Sequence, residues 1–191
     1  MRVPRPVLAV GVLALLAGPA LAQDKYATAE LRAGYAVTLG EAKDSLNSST
    51  SFGAGAAIAL AQRLYLGFQV DWATHETKPI TSPVREWSVL HAFLKVGYNI
   101  VDMPKWTVRL SGGPGIMSFS PNQELQTLFG SGNDVHFAVN GSIAVTYWFA
   151  ERIGLHIAPQ FDIAFKKTSG QIFKESSGMI FPLGGGLQFK I

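Results

Sequence analysis

The sequence predicts an all-β protein, a transmembrane eight-stranded antiparallel up-and-down β-barrel. Eight segments after residue 22 alternate apolar residues with small or polar ones, the period of strands that have two different faces. Short and long connections alternate between these segments. Charged residues make up only 15% of the chain, whereas soluble domains usually contain ~25%.

The N-terminal segment is predicted to be a cleaved secretory signal. Arg2 and Arg5 precede an apolar stretch over 7–17 that is too short to span a bilayer, and a small-x-small cleavage pattern ends at Ala22. The next residue is Gln23, so lipoprotein processing, which needs Cys, is excluded. The expected organisation is a signal peptide at 1–22 and one barrel domain at 23–191.

Composition excludes two further classes. Removal of residues 1–22 takes away two arginines and no acidic residue, which leaves 14 basic against 13 acidic residues. The chain has no basic stripe, so we expect no nucleic-acid partner. The chain contains no Cys, so no disulfide framework can hold the exported domain together.

The first four strands follow the alternation closely. In the first, Leu31 and Tyr35 share one face, and Glu30 and Arg32 share the other. The apolar faces of these strands run over 29–39, 52–60, 64–72 and 90–98.

The last four strands repeat the pattern over 106–116, 135–149, 153–165 and 179–191. Pro114 and Pro159 lie inside the fifth and seventh patterns, where each removes a ladder donor. We therefore expect a bulge or bend at Pro114, within 112–115, and a local bulge at Pro159.

The connections are tight at 62–63, 101–105 and 151–152, and long and polar at 40–51, 76–86, 119–134 and 168–177. Short turns at one end and long loops at the other are typical of bacterial outer-membrane barrels.

A soluble, lipocalin-like barrel is the competing architecture. Its outer surface would consist largely of Gly, Ala, Ser and Thr, and the low charge content disfavours it. Large aromatic residues also lie near the ends of the strands, as in interfacial girdles. The expected girdle comprises Trp72, Trp87, Tyr98, Trp106, Tyr147, Phe149, Phe165 and Phe189.

With these features, the mature chain resembles the small outer-membrane β-barrel domain proteins, similar to the eight-stranded N-terminal barrel of outer-membrane protein A. The resemblance rests on the signal, the eight strands, the loop asymmetry and the closing strand 181–191. It implies a monomer in the bacterial outer membrane, in contact with lipid and lipopolysaccharide. It also implies recognition by the barrel-assembly machinery through Phe189 and Ile191, although the family usually ends in an aromatic residue.

The inward faces carry the candidate functional residues. The predicted charge network comprises Glu30, Arg32, Asp71, Lys95, Arg109, Asp162 and Lys166, and the other polar lumen residues are His91, His136, Asn140, His156 and Gln160. An eight-stranded barrel is narrow enough for side chains to fill it. Because buried charges need partners, we expect a salt-bridged plug; the alternative is a gated narrow pore whose network rearranges.

The four histidines suggest other chemistries. They lie on four strands without a short His-x-His motif, so neither a metal site nor a cofactor is expected. Strand pairing puts His91 near Asp71. Lipid A-modifying barrels use a serine hydroxyl and a histidine base. The candidate bases in this chain are His75 and His136, and the candidate hydroxyls are those of Ser82 and Ser131.

The sequence therefore predicts a non-enzymatic outer-membrane barrel with a structural, adhesive or surface-interaction role, which binds an extracellular ligand through its loops. The alternative is a small gated pore or a transporter of small or hydrophobic solutes. A more distant alternative is a lipid A-modifying enzyme.

Overall fold

The computed structural model of the chain describes residues 27–78, 86–121, 134–165 and 178–191. The expected signal peptide, Lys166, the candidate serines Ser82 and Ser131, and most of the last three long connections lie outside the described residues.

The described residues form eight strands and one short helix. Their bounds are β1 Ala27–Gly40, α1 Glu41–Ser45, β2 Ser49–Ala59, β3 Leu64–Glu76, β4 Glu86–Asp102, β5 Trp106–Pro121, β6 Asp134–Trp148, β7 Ile153–Ala164 and β8 Gly178–Lys190. Within the described residues, no helix is long and apolar enough to cross a membrane.

The sheet is a closed barrel in which each strand pairs with its neighbours in sequence and β8 returns to β1. All eight pairings are antiparallel. The closing ladder runs from Thr28 opposite Lys190 to Gly40 opposite Gly178. The predicted eight-stranded up-and-down barrel is therefore confirmed. Closure provides every strand with two neighbours, so no strand edge remains exposed.

The two ends of the barrel differ. At one end, which we call the turn end, the strands are joined by short connections at 60–63, 103–105 and 149–152, and Ala27 pairs with Ile191. At the opposite end, the loop end, α1 follows β1 and Leu46 bridges to Thr77. Ala42 and Leu46 are fully buried there, so the first long connection folds over the mouth of the barrel.

The bulge predicted at Pro159 is wrong, and so is the bulge, though not the bend, that was the other possibility at Pro114. The register is the same on both sides of each proline, and the ladders only skip two paired positions. A bulge requires an extra residue in one strand, whereas a proline only removes one N–H donor. The ladder between β4 and β5 does contain a register shift, but at Asn99 and Val101, away from the prolines.

Burial alternates along the strands as the sequence pattern predicts. Leu31, Leu94 and Ile157, on the outward face, are 53%, 53% and 62% exposed. Gln69, Asp162 and other residues of the opposite parity are buried inside the barrel. The inside of the barrel is therefore its core, and the outward face is a continuous apolar surface.

Candidate functional site

The middle of the barrel interior contains a group of hydrogen-bonded polar side chains, which we call the central polar network. Its members are Arg32, Gln69, Asp71, His91, Asn140, Gln160 and Asp162, contributed by β1, β3, β4, β6 and β7. All seven are buried. Side chains from strands on opposite sides of the barrel therefore meet across the lumen.

Arg32 is one centre of this network. Its guanidinium donates to Gln160 Oε1 at 3.1 Å and forms a salt bridge with Asp71. Asp71 also accepts hydrogen bonds from the amide groups of Gln69 and Gln160. Each buried charge thus has an opposite charge and neutral donors or acceptors around it, which is what makes burial of an ion pair tolerable.

Asp162 is the second acidic centre. His91 lies 2.6 Å from it through Nδ1, and Asn140 and Gln160 donate to the same carboxylate. Asp71 does lie opposite His91 on the ladder between β3 and β4. His91 Nδ1, however, is hydrogen-bonded across the barrel to Asp162 and not to its ladder neighbour Asp71, so the predicted pair does not form as expected.

Small residues beside β1 make room for these long side chains. Arg32 lies between Gly53 on β2 and Gly186 on β8, and Glu30 lies between Gly55 and Gln188. A Cβ at Gly53 would overlap the Asp71 carboxylate, and one at Gly186 would overlap the backbone of Leu31. Both glycines are therefore required by close approach, and they leave Arg32 free to reach Asp71.

Lys95 and Arg109 belong to the predicted charge network but are held differently. Lys95 Nζ donates to Gln69 Oε1 and Ser142 Oγ, both at 2.7 Å. Arg109 stacks over the ring of Tyr65 at 3.9 Å and donates through Nε to Asn99 Oδ1 at 2.9 Å. Within the described residues, neither cation forms a salt bridge with a carboxylate.

An apolar cluster packs beside the central polar network and fills the interior from there towards the loop end; we call it the apolar plug. It comprises Ala36, Ala42, Leu46, Ala73, Val89, Phe93, Met117, Phe119, Ala138, Ala164 and Ile180, with Trp87 packed against it. Phe93, Met117 and Phe119 are fully buried. The plug separates the central polar network from the loop end.

The turn-side half of the interior is not filled. A cavity of about 50 Å³, the turn-side cavity, lies there. Glu30, Arg32, Lys95 and Arg109 line it together with Ser and Thr hydroxyls. A second cavity of about 10 Å³ lies beside Arg32, Asp71 and Gln160. The larger cavity has room for a few water molecules, since one water needs roughly 10–15 Å³.

The histidines are buried inside the barrel. His75 Nδ1 donates to the Asn47 carbonyl at 2.8 Å, and His136 Nδ1 donates to the Phe165 carbonyl at 3.0 Å. His136 Nε2 also lies 3.1 Å from Asp134. His156 lies 4.0 Å from Glu30. In the part of the chain that the structure describes, no three His, Asp or Glu side chains are arranged to hold a metal ion.

Seven of the eight expected girdle aromatics have outward parity. Tyr98, Trp106 and Phe149 are 47%, 47% and 53% exposed near the turn end. The other outward members are Tyr147 and Phe189 near the turn end, and Trp72 and Phe165 towards the loop end.

Trp87 contradicts the expectation. It shares the parity of Val89 and His91 and packs against the apolar plug, so it belongs to the interior. The outward face of β4 holds the even positions 90–98, so the alternation itself places Trp87 inside, and the girdle prediction followed the residue type and not the parity.

Sequence reasoning missed several interior residues. Gln69 joins Asp71, Gln160 and Lys95, and Trp148 donates to Thr107 Oγ1 at 2.9 Å inside the turn end. Met117 and Phe119 extend the inward parity of β5 with apolar side chains. The alternation of the strands already indicated that all four side chains point inward. Because these side chains are uncharged, nothing in the sequence marked them as functional.

Three solved structures share this fold. Neisserial surface protein A is 12% identical with a TM-score of 0.58 and covers 88% of this chain and 98% of its own. The N-terminal barrel of Pseudomonas aeruginosa OprF is 13% identical with a TM-score of 0.54 and the same coverages. The P. aeruginosa outer membrane protein OprG is 14% identical with a TM-score of 0.58, at 87% and 97%.

At these identities the similarity shows the fold alone. The predicted resemblance to small eight-stranded outer-membrane barrels is confirmed at that level. No protein-family model and no curated protein sequence matches this chain.

Proposed function

We propose that this chain is a non-enzymatic outer-membrane barrel with a closed lumen, whose work is done at its outer face through the long loops. The observation that carries the proposal is the double closure of the interior by the apolar plug and the central polar network. A solute would have to displace both layers to cross. With the lumen closed, the loop end is the surface left for recognition.

The membrane location is supported by the outward face. Leu110, Phe137 and Leu183 are 52%, 59% and 50% exposed, and similar side chains surround the barrel. An apolar surface of that extent in water would drive association, whereas lipid covers it without penalty. The outward aromatics then contact the interfacial region of the bilayer, and lipopolysaccharide surrounds the loop end.

Assembly and export follow from the same proposal. Phe189 has outward parity on β8, and Ile191, directly after β8, is exposed, so the barrel-assembly machinery can bind both. The mature chain begins at Gln23 and acts as a monomer. N-terminal sequencing of the protein from the outer-membrane fraction tests this: a start at Gln23 is expected, and retention of residues 1–22 would contradict it.

The closed lumen is tested by single-channel recording of the refolded mature chain in a planar bilayer, with folding verified by heat-dependent gel mobility. A silent bilayer is expected. Discrete openings would favour the alternative, a small gated pore or a transporter of small solutes, and would make the central polar network its gate.

The surface role is tested by loop replacement. Cells that display the wild-type barrel are compared with cells whose barrel has 122–133 replaced by a short Gly-Ser linker, in adhesion to immobilised basement-membrane matrix. Adhesion should fall with the replacement at equal surface expression. A variant with its 149–152 turn altered at the opposite end is the matched control. Equal adhesion by both variants would contradict the proposal.

A catalytic role is the more distant alternative, and lipid A is its substrate class. His75 and His136 each direct Nδ1 to a backbone carbonyl, whereas a triad histidine directs it to an acid. Incubation of lipid A with the folded protein should release no acyl chain and transfer none, as measured by mass spectrometry. Acyl release or transfer that is lost in His75→Ala or His136→Ala would overturn the non-enzymatic proposal.

A further inference from the structure

We propose that the turn-side cavity binds a small inorganic oxyanion of the phosphate or sulfate class. The cavity measures about 50 Å³ and lies inside the barrel wall. This proposal concerns the half of the lumen away from the loops, and it does not depend on what the loops recognise.

The charges on the cavity wall are unbalanced. Arg32, Lys95 and Arg109 line it, and Glu30 is the carboxylate among its described lining residues. The charge of Arg32 is balanced by Asp71, and Asp162 is held by His91 and Asn140. Lys95 and Arg109 therefore share only Glu30 as a carboxylate on the described cavity wall. An excess of one cation over the carboxylates inside the barrel is costly unless a mobile anion neutralises it.

The cations also keep donors available. Lys95 uses two of its three N–H groups on Gln69 and Ser142, and a lysine has three. Arg109 uses Nε on Asn99, and its terminal nitrogens make no hydrogen bond to the described residues. Arg32 is 92% buried, yet its Nε has no hydrogen bond and lies 3.7 Å from Glu30.

The remaining lining fits an oxyanion better than a carboxylate-bearing solute with a long apolar tail. The hydroxyls of Thr28, Ser111 and Ser142 line the same space. One hydroxyl hydrogen joins Ser111 to Ser142, which leaves two hydroxyl groups that can donate to acceptor oxygens. Stacking on Tyr65 fixes the Arg109 guanidinium, which matches the bidentate geometry that arginine makes with phosphate. The small volume excludes a headgroup that is still attached to the acyl chains of a lipid. The ligand must therefore be a free ion that enters from the aqueous phase.

The test is calorimetric titration of inorganic phosphate into the folded mature chain in a non-ionic detergent at low salt, where charge interactions are least screened. One phosphate should bind per barrel. Lys95→Met and Arg109→Gln should each weaken binding by about tenfold or more, since each removes a charge-assisted hydrogen bond. Arg152→Gln removes an exposed cation from a turn at the same end and is the matched control.

Each outcome decides. Saturable binding that is weakened by Lys95→Met and Arg109→Gln but kept by Arg152→Gln supports the site. Absence of a saturable heat with phosphate and with sulfate overturns it. Binding that survives both cavity variants, or that falls equally with Arg152→Gln, assigns the ion to the outer surface of the turns and also overturns the proposal. If Lys95→Met fails to fold, Arg109→Gln at the partly exposed cavity wall carries the comparison.

Discussion

At the residue scale, the polar contacts in the lumen require glycines, which leave space, as much as they require the charged side chains that form the contacts. Gly53 faces the interior between Arg32 and Asp71 along the ladders. The space that a Cβ would need there is taken by the Asp71 carboxylate. Glycine at this position therefore allows the salt bridge between β1 and β3 to form.

Gly53→Ala should lower the free energy of unfolding by about 1–3 kcal/mol, because the added methyl group displaces Asp71 from its partners in a packed interior. Gly184→Ala is the matched control. It also faces the interior beside β1, but its nearest neighbours to a Cβ are at 3.6 and 4.0 Å. Urea unfolding followed by tryptophan fluorescence measures both variants, and equal losses would show that the Asp71 position is irrelevant.

Removal of the Arg32 charge gives a second prediction at this scale. Arg32→Met leaves Asp71 buried without its cation and should cost about 3–5 kcal/mol, whereas the double variant Arg32→Met with Asp71→Leu should recover a large part of that loss. Arg63→Met, in an exposed turn, should change stability by no more than about 0.5 kcal/mol. The same urea titration compares them. A double variant as unstable as the single one would mean that the buried charge of Asp71 is not the cause.

At the element scale, the strands tolerate proline without a change of register. Pro114, Pro159 and Pro182 each coincide with two skipped positions in a ladder, on β5, β7 and β8. On both sides of each skipped stretch, the two strands pair in the same register. The closed sheet holds each strand from both sides, so the loss of one donor does not let it slip.

The Pro159→Ala barrel should have a free energy of unfolding about 1 kcal/mol higher than that of a barrel with a proline replaced in an exposed turn, because the restored N–H can donate to β6 opposite Ile143. Pro104→Ala in the exposed turn between β4 and β5 is the control. Both substitutions loosen the unfolded chain equally, so the difference between their unfolding free energies isolates the ladder bond. A Pro159→Ala barrel no more stable than the Pro104→Ala barrel would contradict this reasoning.

At the scale of the whole molecule, the interior consists of two barriers and one cavity in series. The apolar plug occupies the loop end, the central polar network occupies the middle, and the turn-side cavity follows. An eight-stranded wall leaves space that side chains can fill. Closure therefore does not depend on one residue.

This arrangement predicts that neither layer alone controls conductance. Phe93→Ala with Met117→Ala thins the apolar plug, and Arg32→Met with Asp71→Leu removes the central ion pair; each double variant should still be silent in a planar bilayer. A large-diameter porin recorded under the same conditions verifies that openings would be detected. Openings in one of the two variants would identify that layer as the sole barrier.

The sequence by itself determined the number of strands, the direction of each face and the asymmetry of the connections. These features are local, since a period of two residues and a run of polar loop residues can be read without knowing any distant neighbour. The inward parity of Glu30, Arg32, Asp71 and Asp162 came from the same pattern.

Only the tertiary structure decided which inward side chains meet. His91 contacts Asp162 across the barrel although Asp71 is its ladder neighbour, and Trp87 packs into the apolar plug. Contacts across the lumen depend on strand tilt and stagger around the closed sheet, which no single strand encodes. The turn-side cavity exists for the same reason, because the space between strands is set by closure and not by the alternation within each strand.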